Sequence, residues 1–292
     1  MLITIQNEKL SLTVDTFGAQ MQSIRSFDGC EYLWQGDSKY WADRAPVLFP
    51  FAGRLTNNQC KIDGVTYPMG LHGFASGAEF VCTEQAEDKV TLTLTANEET
   101  KRQYPYDFVF SVTYALVNNS VAITFTVDNK SDSTMPFALG GHPGFNVPLA
   151  EGEVFEDYYL EFSKACQPDK VGFTPAVFLN GVNQLYPLRD DKIIDLKHEL
   201  FDVDDSIVLK NMAREVTLRS RKSQRAIKLS YPDMPYLALW QKSKCNAPYI
   251  CIEPWSSLPS RQDVVEELTC RSDLVQLSAG KTHENTWTIT VY

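Results

Sequence analysis

Four histidines occur along the chain, and two of them sit where an imidazole can face a cleft. His142 lies in Gly140-Gly141-His142-Pro143-Gly144-Phe145-Asn146, and His72 in Gly70-Leu71-His72-Gly73-Phe74-Ala75. Both are glycine-flanked loop settings between strand-like segments, the usual mounting for a side chain that meets a ligand. An imidazole with an unperturbed pKa of about 6.5 can give or take a proton near neutrality. Further along, Glu253 follows the apolar run Tyr249-Ile250-Cys251-Ile252 and precedes Pro254-Trp255. Burying an unpaired carboxylate in such a run costs several kcal/mol, so Glu253 is expected either to pair with an arginine or to line a polar cleft. Partial desolvation would raise its pKa towards that of a useful base. With Trp255 as a flat platform, this set of a proton donor, an acceptor and an indole suits acid–base work on a carbohydrate.

Supporting groups are fewer. Arg54 is a lone cation in Phe49-Pro50-Phe51-Ala52-Gly53-Arg54-Leu55, and its fork of donors fits sugar hydroxyls or a carboxylate such as Glu253. Asp204 and Asp205 precede Ile207-Val208-Leu209 and offer a carboxylate at the mouth of a strand, with surface solvation expected for at least one. His198 and His283 stand among charged residues and are expected to face solvent. Other chemistries fail on inspection: the chain has no Gly-x-Ser-x-Gly elbow, no phosphate-cradling glycine loop, no dinucleotide fingerprint and no His-Glu-x-x-His. Cys251 is expected to be blunted as a nucleophile by burial.

These residues need a frame, and the pattern around them is one of strands. Period-two alternation recurs in Leu10–Val14, Val90–Leu94, Phe108–Val112 and Val121–Val127, which predicts strands with one wet face. Further strands are expected at Tyr158–Phe162, Glu215–Leu218, Ile227–Tyr231, Tyr236–Trp240 and Thr286–Val291, and a short helical piece at Asp263–Leu268. Asn118-Asn119-Ser120 reads as a hairpin turn, because asparagine tolerates positive φ. Many strands and almost no crossover helices favour an all-β fold of two stacked antiparallel sheets. With no repeat or flexible linker, residues 1–292 are expected to form a single domain. The Pro168 to Asp205 region should form long loops over the sheet.

Composition narrows the partners. A net charge of -10 argues against nucleic acid and anionic membranes. No stretch approaches the roughly 20 apolar residues of a membrane span, and no signal sequence is apparent, so a cytoplasmic location is expected. The seven cysteines lack Cys-x-x-Cys spacing, so most are expected to be buried thiols, with no zinc or redox pair among them.

At Gly140–Pro148 and Cys251–Trp255, with Gly53-Arg54-Leu55 and Leu71-His72-Gly73-Phe74 upstream in the expected order, the chain resembles the aldose 1-epimerase (galactose mutarotase-like) family. Within that family it looks most like the bacterial branch associated with lactose operons. The resemblance implies a β-supersandwich and a cofactor-independent interconversion of the α and β anomers of a hexose. It makes His142 the acid that protonates the ring oxygen and Glu253 the base that takes the anomeric hydroxyl proton. His72, Arg54 and an aspartate of the Asp204–Asp205 pair would hold hydroxyls. Relatives acting on hexose 6-phosphates carry an arginine after the His-Gly-Phe-Ala motif, where this chain has Ser76, so an unphosphorylated aldose is expected. Two other readings compete: a sugar-binding or sugar-sensing protein that keeps Trp255, Arg54 and His72 as binding groups, and a glycan hydrolase or lyase, which lacks a clear second carboxylate near Glu253.

Overall fold

The computed structural model describes residues 1–203 and 206–292. Among these, two large antiparallel sheets dominate, one of nine strands and one of eight. The alternating segments build the nine-stranded sheet. Phe108–Val117 and Ser120–Asn129 pair along their whole length, with Val117 opposite Ser120. The turn between them has Asn118 at φ 55°, the left-handed conformation that asparagine tolerates. In these two strands apolar residues alternate with half-buried ones, as a sheet with one packed face requires. Thr282–Val291 pairs with the hairpin on one side, and Lys89–Thr95 on the other.

The eight-stranded sheet has a different texture. Its central strand, Tyr249–Trp255, is buried at every position, which fits a strand covered on both faces. It lies between Tyr236–Trp240 on one side and the short Gly140–Gly141 and Gly144–Asn146 segments on the other. One apolar cluster contains residues from both sheets, among them Phe49, Phe110, Phe125, Ile252 and Trp287. The Phe49 and Phe110 rings stack with centroids 4.3 Å apart, and such pairs add to burial about 0.5–1.5 kcal/mol.

Gly141 marks where the sheets press hardest. A Cβ there would come within 2.5 Å of Cζ2 of Trp287, which belongs to the nine-stranded sheet. The glycine before His142 is therefore a matter of space: the backbone carrying the imidazole lies directly on an indole.

Three expectations need correction. The helical piece at Asp263–Leu268 is an irregular segment ending in a 3-10 turn at Leu268–Cys270. Asp263 takes φ 60°, and the Glu266 side chain folds back to Arg261, accepting from both its backbone and its guanidinium, so local polar bonds replace helical ones. The described α-helices are Glu98–Gln103, capped by Asn97, and Glu199–Val203. Of the seven cysteines, only Cys60 and Cys251 are buried; Cys270, at the end of the 3-10 turn, is exposed, and the others are partly so. His198 and His283 are half-buried, not solvent-facing. The first stacks on Phe155 at 4.2 Å and bonds to Gln241, and the second packs edge-on against Phe137; in both, an aromatic partner outweighs the charged neighbours in sequence.

The loop character of the Pro168 to Asp205 region holds over the described part, which carries only short strands and one short helix. No helix among the described residues is long and apolar enough to cross a membrane.

Candidate active site

Strand register brings the two proton-handling residues together. Gly140 pairs with Trp255 and Gly144 with Cys251, so His142 falls opposite Glu253 at the break between two short strands. The break is held by bonds from His142 N–H to the Pro46 carbonyl and from Ile252 N–H to the Pro143 carbonyl. His142 Nε2 lies 3.3 Å from Glu253 Oε2. Glu253 sits within the strand, not at its end, and is 1% exposed. No arginine or lysine pairs with it among the described residues; of the two fates expected for its carboxyl, it takes the polar cleft.

His72 reaches the same place from another loop. Its backbone adopts φ 63°, and it exchanges two bonds with Gly53: His72 N–H donates to the Gly53 carbonyl, and Gly53 N–H donates to His72 Nδ1, each at 3.0 Å. Because Nδ1 accepts, the ring carries its proton on Nε2, and His72 is a neutral donor with a fixed tautomer. Burial holds its pKa well below the usual histidine range, with the neighbouring His142 and Arg54 adding to the effect.

A cavity of about 450 Å³ opens above the pair, a volume suited to a small ligand. His142, Glu253, His72, Arg54 and Trp255 all line it. Arg54 is exposed and has no ion-pair partner among the described residues, which leaves its donors for a ligand. Trp255 is 5% exposed and meets the His72 ring edge-on at 5.5 Å; its Nε1 is buried without a hydrogen-bond partner. Asp204 and Asp205 lie outside the described residues.

Sequence reasoning missed several lining residues. Trp41, Asp43 and Trp240 face the cavity, as does Ser76 at the position singled out for its missing cation. Trp240 ends a strand that the alternation identified, so its place at a strand mouth was a usable signal. Trp41 lies in an irregular stretch with no period, and nothing local marks it. A second cavity, of about 550 Å³, adjoins the first and shares Phe173, Val177 and Ser206 with it.

Electrostatics at the pair follow from desolvation. Burial lowers the His142 pKa to about 4. Burial also raises that of Glu253 well above the carboxylate range; the Trp255 indole N–H, nearby but outside hydrogen-bonding geometry, opposes this only in part. Both shifts favour carboxylic acid plus neutral imidazole, which carries the same single proton as carboxylate plus imidazolium. In that form the pair holds one proton, on one of two atoms 3.3 Å apart. Cys251 lies below, its ligand atom within 4.8 Å of those of His142 and Glu253. This is a nitrogen, sulfur and oxygen donor set, but burial pushes the Cys251 thiol well up, and a metal ion would have to displace protons from both acids to bind.

Comparison with known proteins gives the family of the chain. Residues 1–267 match the family model described as aldose 1-epimerase. The chain is 36% identical to the chromosomal LacX protein of Lactococcus lactis subsp. lactis, over all of this chain and 99% of that one. Among solved structures, a galactose mutarotase related enzyme from Lactobacillus acidophilus superimposes with a TM-score of 0.94 at 35% identity, covering 100% of this chain and 97% of that one. A galactose mutarotase-like protein from Lactobacillus casei gives 0.93 at 32% identity, with full coverage of both chains. A family model spanning nine-tenths of the sequence, and relatives alike from end to end, converge on one statement: this chain belongs to the aldose 1-epimerase family.

Proposed function

We propose that the protein is a cofactor-independent mutarotase that exchanges the α and β anomers of a hexose, with His142 and Glu253 as its proton-transfer groups. The observation that carries this reading is the contact between His142 Nε2 and Glu253 Oε2, 3.3 Å apart at the floor of a cavity large enough for one sugar.

With the sugar's ring oxygen beside His142 and its anomeric hydroxyl beside Glu253, ring opening needs one proton in and one out. His142 gives a proton to the ring oxygen while Glu253 takes the hydroxyl proton, and the C1–O5 bond breaks to leave the open-chain aldehyde. This step starts from the carboxylate–imidazolium form, reached when the shared proton moves from Glu253 to His142, and ends in carboxylic acid plus neutral imidazole, the arrangement that burial favours. Rotation about C1–C2 presents the other face of the carbonyl. Closure returns both protons, and atoms and charge balance over the cycle. His72 Nε2–H and the Arg54 guanidinium supply donors for the remaining hydroxyls, and Trp255 contributes an apolar wall. Ser76 in place of a cation leaves Arg54 as the only cationic side chain among the described lining residues of this cavity, which fits an uncharged aldose.

Polarimetry on freshly dissolved aldoses tests the reading. His142→Asn and Glu253→Gln should each slow anomer exchange by about 10²-fold or more, since a positioned proton transfer contributes about 10²–10⁴-fold, with unchanged circular dichroism. Wild-type rates in both variants would reject it. Sugar binding by calorimetry with no acceleration in the wild type would instead make the protein a binder or sensor. Faster exchange of a hexose 6-phosphate than of the free hexose would overturn the uncharged-substrate assignment.

A further inference from the structure

We infer that Trp41 is a positioning residue for the proposed acid, holding the His142 imidazole by ring packing in place of the hydrogen bond that usually orients such a group; this rests on the reading of His142 as a proton-transfer group.

A proton-transferring histidine is ordinarily fixed by a bond on its second ring nitrogen, to a carboxylate or a carbonyl. His142 has none in good geometry: its Nδ1 is buried, with its own backbone nearby but outside hydrogen-bonding geometry, and its Nε2 meets only Glu253. Something else must set the ring's orientation. Trp41 covers one face, with centroids 5.0 Å apart and planes 32° from parallel. Trp240 and His72 close on the ring edge-to-face, at 5.7 Å and 5.5 Å. Of these three, Trp41 comes nearest to parallel with the imidazole, the other two meeting it edge-on.

Trp41 is itself anchored. Its carbonyl accepts from the Trp34 indole N–H at 2.8 Å, its backbone N–H donates to Asp37, and its ring stacks on Tyr249 at 5.7 Å. It also presses on the loop that carries the histidine, since a Cβ at Gly144 would meet Trp41 Cζ3 at 2.9 Å.

Three readings on Trp41→Leu and Trp41→Phe test this. First, kcat for Trp41→Leu should fall about 10-fold or more with KM within about two-fold, as expected when a reacting group loses its alignment. Second, Trp41→Phe, which keeps a flat face, should recover most of that loss. Third, the His142 imidazole resonances followed by NMR should titrate nearer the ordinary value of about 6.5 in Trp41→Leu than in wild type, because the ring loses its cover. An unchanged kcat, a loss that Phe does not rescue, or an unmoved His142 midpoint would each overturn the inference. If Trp41→Leu does not fold, Trp41→Met, bulky but not flat, takes its place with the same outcomes. Full activity in His142→Asn would instead sink the underlying reading, so the two failures are distinguishable.

Discussion

At the residue scale the working unit is a pair of groups sharing one proton, and this fixes its pH dependence. An isolated histidine acid would lose rate above its ordinary pKa of about 6.5. Here the pair gains a second proton only as pH falls through the His142 value of about 4, and it loses its one proton only above the raised Glu253 value. Between these limits its protonation is constant. The rate of anomer exchange, corrected for the spontaneous reaction, should therefore have its acid limb near 4 and be flat above it until the folded carboxyl ionises. A rate that falls as pH rises through 6 to 7 would show that the two groups titrate independently. The identities of His142, Glu253, His72 and Arg54 were legible because each is a polar residue in an environment that does not want one, between glycines or inside an apolar run. Trp41 was not, because an aromatic residue in an unpatterned stretch has no local oddity, and its role exists only once Gly144 and Tyr249 are folded against it.

At the scale of elements, antiparallel register is what turns a long separation in sequence into adjacency. His142 stands in the row opposite Glu253 because Gly140 and Gly144 pair with Trp255 and Cys251 on either side. Period-two patterning revealed the strands themselves, and Tyr158–Phe162 and Tyr236–Trp240 appear with the bounds that alternation gave them. It could not reveal register, which is set by contacts between elements. Nor could it show that Asp263–Leu268 would forgo a helix, because the Arg261–Glu266 pairing that displaces it is a tertiary and turn effect. Gly141 is the element-scale test. Its φ is not in the left-handed region, so the cost of Gly141→Ala comes from the Trp287 indole at 2.5 Å; overpacking of this kind costs about 1–3 kcal/mol. Shrinking the obstacle should relieve it: in a Trp287→Leu background Gly141→Ala should cost markedly less, giving a coupling energy of about 0.5–3 kcal/mol in a double-mutant cycle by urea denaturation. Additive costs would mean that the two sheets do not meet at this glycine.

At the scale of the whole molecule, the proposed site is a place where the fold holds a carboxyl it would be more stable without. Glu253 is buried in the central strand with no lysine or arginine beside it among the described residues, and its pKa is raised by that burial. The folded protein therefore keeps a proton that the unfolded chain releases above about 4.5, and stability falls as pH rises towards the folded value, by about 1.4 kcal/mol per unit. His142 works the other way. Its folded pKa is depressed to about 4, so between about 4 and 6.5 the unfolded chain binds the extra proton and stability rises with pH. The two slopes oppose each other where they overlap, and that of His142 ends at about pH 6.5. Comparing wild type with Glu253→Gln isolates the slope of Glu253, because the background of an acidic chain of net charge -10 is common to both and cancels. As pH rises above about 4.5 the glutamine variant should gain on the wild type by about 1.4 kcal/mol per unit until the folded carboxyl ionises, while its mutarotase activity is lost. Parallel stability curves for the two proteins from about pH 4.5 upward would mean that the Glu253 carboxyl is already charged in the folded state, and that the protein solvates it by a route other than the cavity and its neighbouring imidazole.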